Sequence, residues 1–384
     1  MAVVFDGDVT DPRVWSGTPF GVYNGLRAAG AEVMPVDCSL RPRARDAIAL
    51  ALAPPHVLRA RDATLELRVR SAYRTARIGP QMAAILGARA GRRIRRLGAL
   101  DGIVQIGTGF RVPPVAPIVT YEDMTIRQAL GYPFRHWTTM PQRHIDKRVE
   151  LQRRCYSAAH AVAMMSGWAA ASGRTDYGLP ADRVVIAGVG SNDEPRSVVR
   201  DWSTPRFLFI GVAWERKNGP SVLAAFDRVR ALWPDATLDV VGGHPPLDAP
   251  GVTGHGVVRR DEVGGDELLR GLFDRATCFV MPSRFEPAGI VYTEAMACGL
   301  PSIGTTVGGA GGLIGDAGTT VDPGDPEALV EAMLAVADPE TARRLGARAE
   351  VRSALFTWQA VAERLLGAIS PDLLDRPLAA PLPG

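Results

Sequence analysis

Lysine is nearly missing from this chain. Of its 44 basic residues 42 are arginine, and only Lys147 and Lys217 are lysine. Cysteine is scarce too. Cys38, Cys155, Cys278 and Cys298 are scattered and form no Cys-x-x-Cys pair. That excludes a disulfide framework or zinc knuckle as the basis of the fold and fits a reducing cytoplasm. No stretch is built to face lipid. The longest uncharged run, Ala295 to Gly315, spans 21 residues but holds seven glycines and a proline, the wrong composition for a spanning helix. The opening MAVVFDGDVTD is acidic and short of apolar residues, unlike a secretory signal. The six histidines have no metal-ligand spacing. There is no internal repeat. No Gly-x-Gly-x-x-Gly follows a strand-like run, and GGAGG at Gly308 does not open a recognisable dinucleotide unit.

What is present is ordinary for a globular protein: 46% apolar and 22% charged residues over 384 positions. That length implies two domains at roughly 100–200 residues each. The net charge of +3 is unevenly spread. Between Arg59 and Arg96 there are 11 arginines against Asp62 and Glu66, and the rest of the chain is net acidic. Such a block reads as a solvated helix face, or as a contact for a phosphorylated acceptor or a membrane surface. No aromatic-rich signature interleaves with it, so nucleic acid is not an expected partner.

Short apolar runs alternate with helical periods. In the second half RFLFIGV (from Arg206), TLDVVG, TCFVMP and PSIGT read as strands. SVLAAFDRVRAL, DELLRGLFDRA, GIVYTEAMACG and DPEALVEAMLAVA read as helices, the first with Val222, Ala225, Phe226, Val229 and Leu232 on one face. The first half alternates less cleanly, with AVVF, EVMPV, GIVQI, PIVTY and HAVAMM as strands. FGVYNGLRAAG and SGWAAASGRTDYG read as helices, the latter with Ser166 as N-cap. Alternation of this kind builds parallel sheets covered on both faces. The expectation is an α/β protein of two tandem doubly wound domains that bind ligand in an interdomain cleft. Their bounds are 1–195 and 204–355, with a polar, proline-bounded linker from Asn192 to Pro205. The helix 357–370 returns to the first domain, and the proline-rich stretch 371–384 forms a loose tail.

The segment MPSRFEPAGIVYTEAMACGLPSIG, Met281 to Gly304, concentrates the chemistry. It leaves a buried strand, turns through a loop holding Glu286, and enters a helix near Gly289 that carries Glu294. The N–H groups of Gly289, Ile290 and Val291 would open that helix, and with its dipole they favour an anion. A carboxylate beside an anion site accepts hydrogen bonds from neutral hydroxyls. Phosphate and polyol together suggest a nucleotide sugar. The Glu-to-Glu spacing alone is weak; its setting between two strands and before Gly-Leu-Pro makes it specific.

This segment resembles the hallmark of retaining glycosyltransferases of the GT-B fold, the large family-4 group, in the form EPAGIVYTE. The resemblance implies two tandem Rossmann-like domains. It implies that Glu286 meets the donor sugar, that Glu294 meets the ribose, and that the backbone of Ala288, Gly289, Ile290 and Val291 meets sugar hydroxyls and the diphosphate. FLFIGVAWERKNG is similar to the family's first nucleotide-domain strand and loop, so Lys217 matches the family lysine that grips the diphosphate. The family arginine is replaced by Val212, and Arg216 is the candidate substitute. WSGTPFGVYNGLRAAGAEV resembles the family's Gly loop, with Gly17 near the donor phosphates. Val258 falls in the stretch expected at the base. In TYEDMT, Glu122 or Asp123 stands where many relatives place a histidine near the donor sugar, or caps a strand end.

The implied function is retaining transfer of a sugar from a UDP- or GDP-type donor to a hydroxyl acceptor: a small metabolite, a glycan or a lipid-linked acceptor. No metal or other cofactor is needed, and the protein is expected to be cytoplasmic. Two alternatives stand beside it. Asp6, Asp8 and Thr10 are similar to the DxDxT signature of haloacid-dehalogenase-type phosphatases, and a nucleotide-sugar-binding relative without turnover would share the donor residues.

Overall fold

A computed structural model describes residues 1–53, 64–138, 140–370 and 382. Arg59 and Arg61 of the arginine block, and all of the tail from 371 except Leu382, lie outside the described residues. The chain divides into two compact units. The first comprises Met1–Met165, Ala169–Ala187 and the C-terminal stretch from Val361; the second comprises Ser166–Trp168, Gly188–Ala360 and the segment from Leu382.

The first unit holds six parallel strands: β1 (Ala2–Phe5), β2 (Met34–Asp37), β3 (Ile103–Ile106), β4 (Ile118–Glu122), β5 (Ala161–Met164) and β6 (Val184–Ile186). Their order across the sheet is β2-β1-β3-β4-β5-β6. Strands β3, β4 and β5 are buried along their whole length. Parallel strands covered on both faces need such continuous apolar runs. The helix Gln142–Ala158 covers them with Ile145, Val149, Gln152, Cys155 and Tyr156, a three-to-four-residue period that defines one buried face.

The second unit repeats the plan with β7 (Arg206–Gly211), β8 (Thr237–Gly242), β9 (Val252–Gly256), β10 (Cys278–Val280), β11 (Ser302–Thr305) and β12 (Gly318–Val321). Its order is β9-β8-β7-β10-β11-β12, the doubly wound arrangement with its first strand, β7, inside the sheet. Phe207, Leu208 and Phe209 of β7 are each at most 1% exposed, and burial of such side chains contributes about 1.5–3 kcal/mol apiece. The helix Gly219–Leu232 packs Val222, Ala225, Phe226 and Val229 inward, as its period predicts. Leu232 departs from that expectation: it is 68% exposed, because the helix ends there and Trp233 caps it.

The segment expected as a linker is held along the second unit. Arg196 pairs with Asp274 at 2.7 Å. Arg200 donates to the carbonyls of Phe273 and Cys298 at 2.8 and 2.7 Å and lies over the Trp202 ring. Arg200 thus caps buried carbonyls at the ends of two helices, and Arg196 ties the segment to a helix carboxylate. All four cysteines are buried and free. Among the described residues no helix is long and apolar enough to cross a membrane.

Candidate functional site

In each sheet the strand order reverses at one point: between β1 and β3 in the first unit, and between β7 and β10 in the second. Ligands of such sheets sit outside the carboxyl ends of the strands at that reversal.

In the second unit the loops leaving β7 and β10 are joined. The β7 loop is a tight turn, with Lys217 N–H bonded to the Ala213 carbonyl at 2.8 Å and Gly219 N–H to the Trp214 carbonyl at 3.1 Å. Asn218 takes a left-handed conformation, φ 63°, to start the next helix. At Gly219 a Cβ would lie 2.1 Å from the Trp214 ring, so this position requires glycine. Arg284, from the β10 loop, donates its N–H to the Arg216 carbonyl at 2.8 Å and its Nε to the Glu215 carbonyl at 3.0 Å. Arg216 donates back to the Phe285 carbonyl at 3.1 Å and lies over the Phe285 ring.

This zipper brings Arg216, Lys217 and Glu286 together. The Lys217 ammonium is hydrogen-bonded to Glu286 Oε2, which also accepts from Ser283 Oγ at 3.1 Å and lies 3.7 Å from Arg216 Nη1. Glu286 is only 6% exposed, and a carboxylate is tolerated there because it is paired and hydrogen-bonded. Burial pushes the Lys217 pKa below its usual value and the neighbouring Arg216 cation adds to this, while Glu286 opposes it.

The backbone of Glu286 is clamped as well. Its N–H reaches the Val307 carbonyl at 3.0 Å, and its carbonyl accepts from Gly309 N–H at 2.9 Å. Gly308 pairs with it as an isolated parallel bridge. A Cβ on Gly308, φ 113°, would lie 2.1 Å from the Glu286 carbonyl oxygen. The GGAGG motif therefore supports the Glu286 loop and opens the short helix Ala310–Ile314.

Gly289, φ 85°, caps the helix Ile290–Ala297. The first N–H groups of any helix have no intrahelical acceptor, so Gly289, Ile290 and Val291 present such donors at the end of the Glu286 loop. Ala288 and Val291 are buried, while Gly289 and Ile290 are half-buried. From Val291 to Ala297 every residue of this helix is buried, which makes Glu294 costly unless it is held. Asn192 donates to it at 3.0 Å, and Arg260 approaches at 3.5 Å. Arg260 also chelates Asp193, with both contacts at 3.0 Å, and reaches Asp266 at 2.8 Å. Burial raises the Glu294 pKa to about 7, Arg260 counters, and Asp193 adds to the rise. Glu294 thus belongs to a second cluster, centred on Arg260. Val258 is half-buried against the apolar core, and Val212, in the position of the absent arginine, is 70% exposed.

The other predicted residues lie in the first unit. Gly17, φ 81°, caps the helix Thr18–Ala28. Glu122 ends β4, 6% exposed, and accepts hydrogen bonds from the Thr108 and Tyr156 hydroxyls and, at 3.0 Å, from Gln152. Burial raises its pKa against those donors. Asp123, next along, is half-buried and lines a cavity. The phosphatase-like residues are engaged locally: Asp6 pairs with Arg45 at 3.0 Å, and Asp8 accepts from the Thr10 N–H and hydroxyl at 2.8 and 2.6 Å. Of the arginine block, Arg77 pairs with Asp46 at 3.3 Å and Arg89 caps the Cys38 and Ser39 carbonyls. Arg92, Arg93, Arg95 and Arg96 stand exposed at the end of the helix Pro80–Ile94, where cations complement its dipole.

Asn192, Asp193 and Arg260 escaped the sequence reading. Their signal was present only as a polar segment and one arginine among 42.

Residues 204–338 match the model of the family described as Glycosyl transferases group 1. Glycogen synthase of Mycobacterium tuberculosis is 32% identical over 197 residues, covering 48% of this chain and 47% of that protein. A GDP-mannose-dependent alpha-(1-6)-phosphatidylinositol monomannoside mannosyltransferase of Mycolicibacterium smegmatis is 34% identical over 177 residues, covering 42% of this chain and 45% of that protein. The chain thus aligns with about half the length of these curated relatives. Among solved structures, sucrose-phosphate synthase of Thermosynechococcus elongatus superposes with a TM-score of 0.62 at 20% identity, covering 97% of this chain and 98% of that one. The architecture is the two-domain, Rossmann-like GT-B fold. Residues 204–338 are thus similar to group 1 glycosyl transferases, and the chain as a whole shares the fold alone with the solved structure.

Proposed function

We propose that the protein transfers a glycosyl group from a nucleoside-diphosphate sugar to a hydroxyl acceptor, with retention at the anomeric carbon and without a metal ion. The observation that carries this reading is the Lys217–Glu286 pair, flanked by Arg216, immediately before a glycine-capped helix. When the anomeric bond to the diphosphate breaks, negative charge grows on the leaving phosphate. Arg216, Lys217 and the first N–H groups of the helix Ile290–Ala297 are preorganised to receive it. The acceptor oxygen bonds to the anomeric carbon on the face the phosphate leaves, and its proton passes to the departing phosphate. Glu286, held by Lys217 and Ser283, accepts hydrogen bonds from sugar hydroxyls as the ring flattens towards an oxocarbenium-like state. Glu294 accepts from the ribose. The two glutamates are hydroxyl acceptors and do not form a hydrolase acid/base pair.

The donor is of the UDP or GDP type, and the reaction belongs in the cytoplasm. The nearby cations take the part a divalent ion plays elsewhere. The test is product analysis by NMR with UDP- and GDP-hexoses. Retained anomeric configuration, unchanged rate in chelator, and a large fall in kcat for Glu286→Ala support the proposal. An inverted product, or full activity in Glu286→Ala, refutes it. Phosphate-ester hydrolysis that stops in chelator would restore the phosphatase alternative.

A further inference from the structure

The first unit contains a cavity of about 300 Å³ at the carboxyl ends of β3 and β4, lined in part by Trp15 from the segment after β1. The donor steps proposed above do not use it, although its lining includes Glu122 and Asp123, the pair that the sequence offered near the donor sugar. Trp15 has φ 45° and ψ 54°, Ser16 has φ 54° and ψ 30°, and Gly17 follows at φ 81°. Three successive left-handed residues are unusual, and a bulky L-residue rarely adopts that conformation. Such outliers persist where the surroundings impose them, and they cluster at ligand clamps. Here the effect on the side chain is plain. The indole lies parallel to the Phe5 ring, 6° between planes and 6.2 Å between centroids, yet Trp15 stays 37% exposed on the cavity wall. It is an apolar plate propped by a second ring.

The rest of the lining is mixed. Phe134 and Trp137 add aromatic surface, and Asp123 and Arg148 add charge. The neighbouring Glu122 is saturated by Thr108, Tyr156 and Gln152, so it braces the wall. Arg148 donates Nη1 to the Gly109 carbonyl at 2.9 Å, while its buried Nε has no partner. A volume of about 300 Å³ is at the lower end for ligand pockets, suited to one ring and too small to enclose an oligosaccharide.

We propose that Trp15 is a stacking platform for the acceptor, and that the acceptor is a single polyhydroxylated ring. Its C–H face lies on the indole, and its hydroxyls reach Asp123 and Arg148. An aromatic plate beside a few fixed polar groups is the arrangement that holds a ring with one apolar face and a polar rim. The assignment rests on the sugar-transfer reading for the ligand's role as acceptor; binding itself is testable without donor.

The test is calorimetry and tryptophan fluorescence on the full chain, with D-glucose, D-galactose, myo-inositol and their phosphate monoesters as probes. Glycerol and benzyl alcohol serve as controls. At least one cyclic polyol should bind and quench the fluorescence, and both controls should bind more weakly. Trp15→Ala should weaken that polyol about tenfold or more, and Trp15→Phe should restore most of the affinity. The proposal is overturned if no cyclic polyol binds the wild-type chain, if benzyl alcohol binds better than every polyol, or if Trp15→Ala binds polyol as tightly as wild type. Parallel titration with UDP- and GDP-sugars separates the two readings. Normal donor binding with no polyol site sinks the platform alone, and absent donor binding in the wild-type chain sinks the transfer reading.

Discussion

The two sheets share a plan and differ at the point where their strand order reverses. At the β7/β10 reversal the side chains are charged and interlocked, with Arg216 and Lys217 on Glu286. At the β1/β3 reversal an aromatic plate, Trp15 on Phe5, stands beside a cavity. Both loops use left-handed backbone, at Asn218 and Gly289 in one and at Trp15, Ser16 and Gly17 in the other. The same topological feature has thus been fitted with opposite chemistries. Preorganised cations suit a diphosphate, and an apolar plate with a polar rim suits a neutral ring.

The largest expected effect is at the charged reversal. Lys217→Ala and Glu286→Ala should each lower kcat by about 10²–10³, the usual cost of removing one preorganised group that stabilises transition-state charge. Steady-state kinetics of both variants would break the comparison if kcat held and only the acceptor KM moved. Next comes the clamp under Glu286. Because a Cβ on Gly308 would collide with the Glu286 carbonyl in a conformation that disfavours L-residues, Gly308→Ala should cost about 1–3 kcal/mol. Chemical denaturation would read this directly.

A smaller effect is expected at Glu294. With its pKa raised to about 7, the side chain is protonated below that value and a carboxylate above it. If the carboxylate receives the ribose hydroxyls, the donor KM should rise as pH falls through about 7. Arg260→Gln removes the cation that opposes burial, so this limb should move to higher pH and the donor KM should increase about tenfold with kcat little changed. A pH profile of donor KM that is flat from 6 to 8 in both proteins would contradict the assignment. The smallest effect belongs to the exposed arginines. Arg93→Gln should change stability by no more than about 0.5 kcal/mol, measured as a thermal midpoint.

The second unit was the more legible half. RFLFIGV, TLDVVG and TCFVMP are continuous apolar runs because their strands are covered on both faces, and they became β7, β8 and β10. Strands β9 and β12 were not foreseen. They are the sheet edges, and VTGHG and GTTV carry too few apolar residues to mark a core. The loop-and-helix setting of Glu286 and Glu294 could be read because Gly289 and the flanking strands fix it locally. Their partners could not. Arg260 meets Glu294 across 34 positions and Asn192 meets it across 102, and no local spacing encodes such contacts. The GGAGG motif was legible as glycine but not as a clamp, since the close approach to Glu286 arises only when β10 and β11 pair. Trp15 gave no sign at all. A tryptophan in a turn reads as surface or core, and the left-handed conformation that exposes it is set by neighbours.

The charged reversal can be tested most directly by calorimetric titration of the wild-type chain, Lys217→Ala and Glu294→Ala with UDP- and GDP-sugars in chelator. One donor should bind the wild type without metal, and each substitution should weaken it about tenfold or more. Equal affinity in all three proteins, or binding that appears only with added divalent ion, would contradict the diphosphate site proposed at β7 and β10.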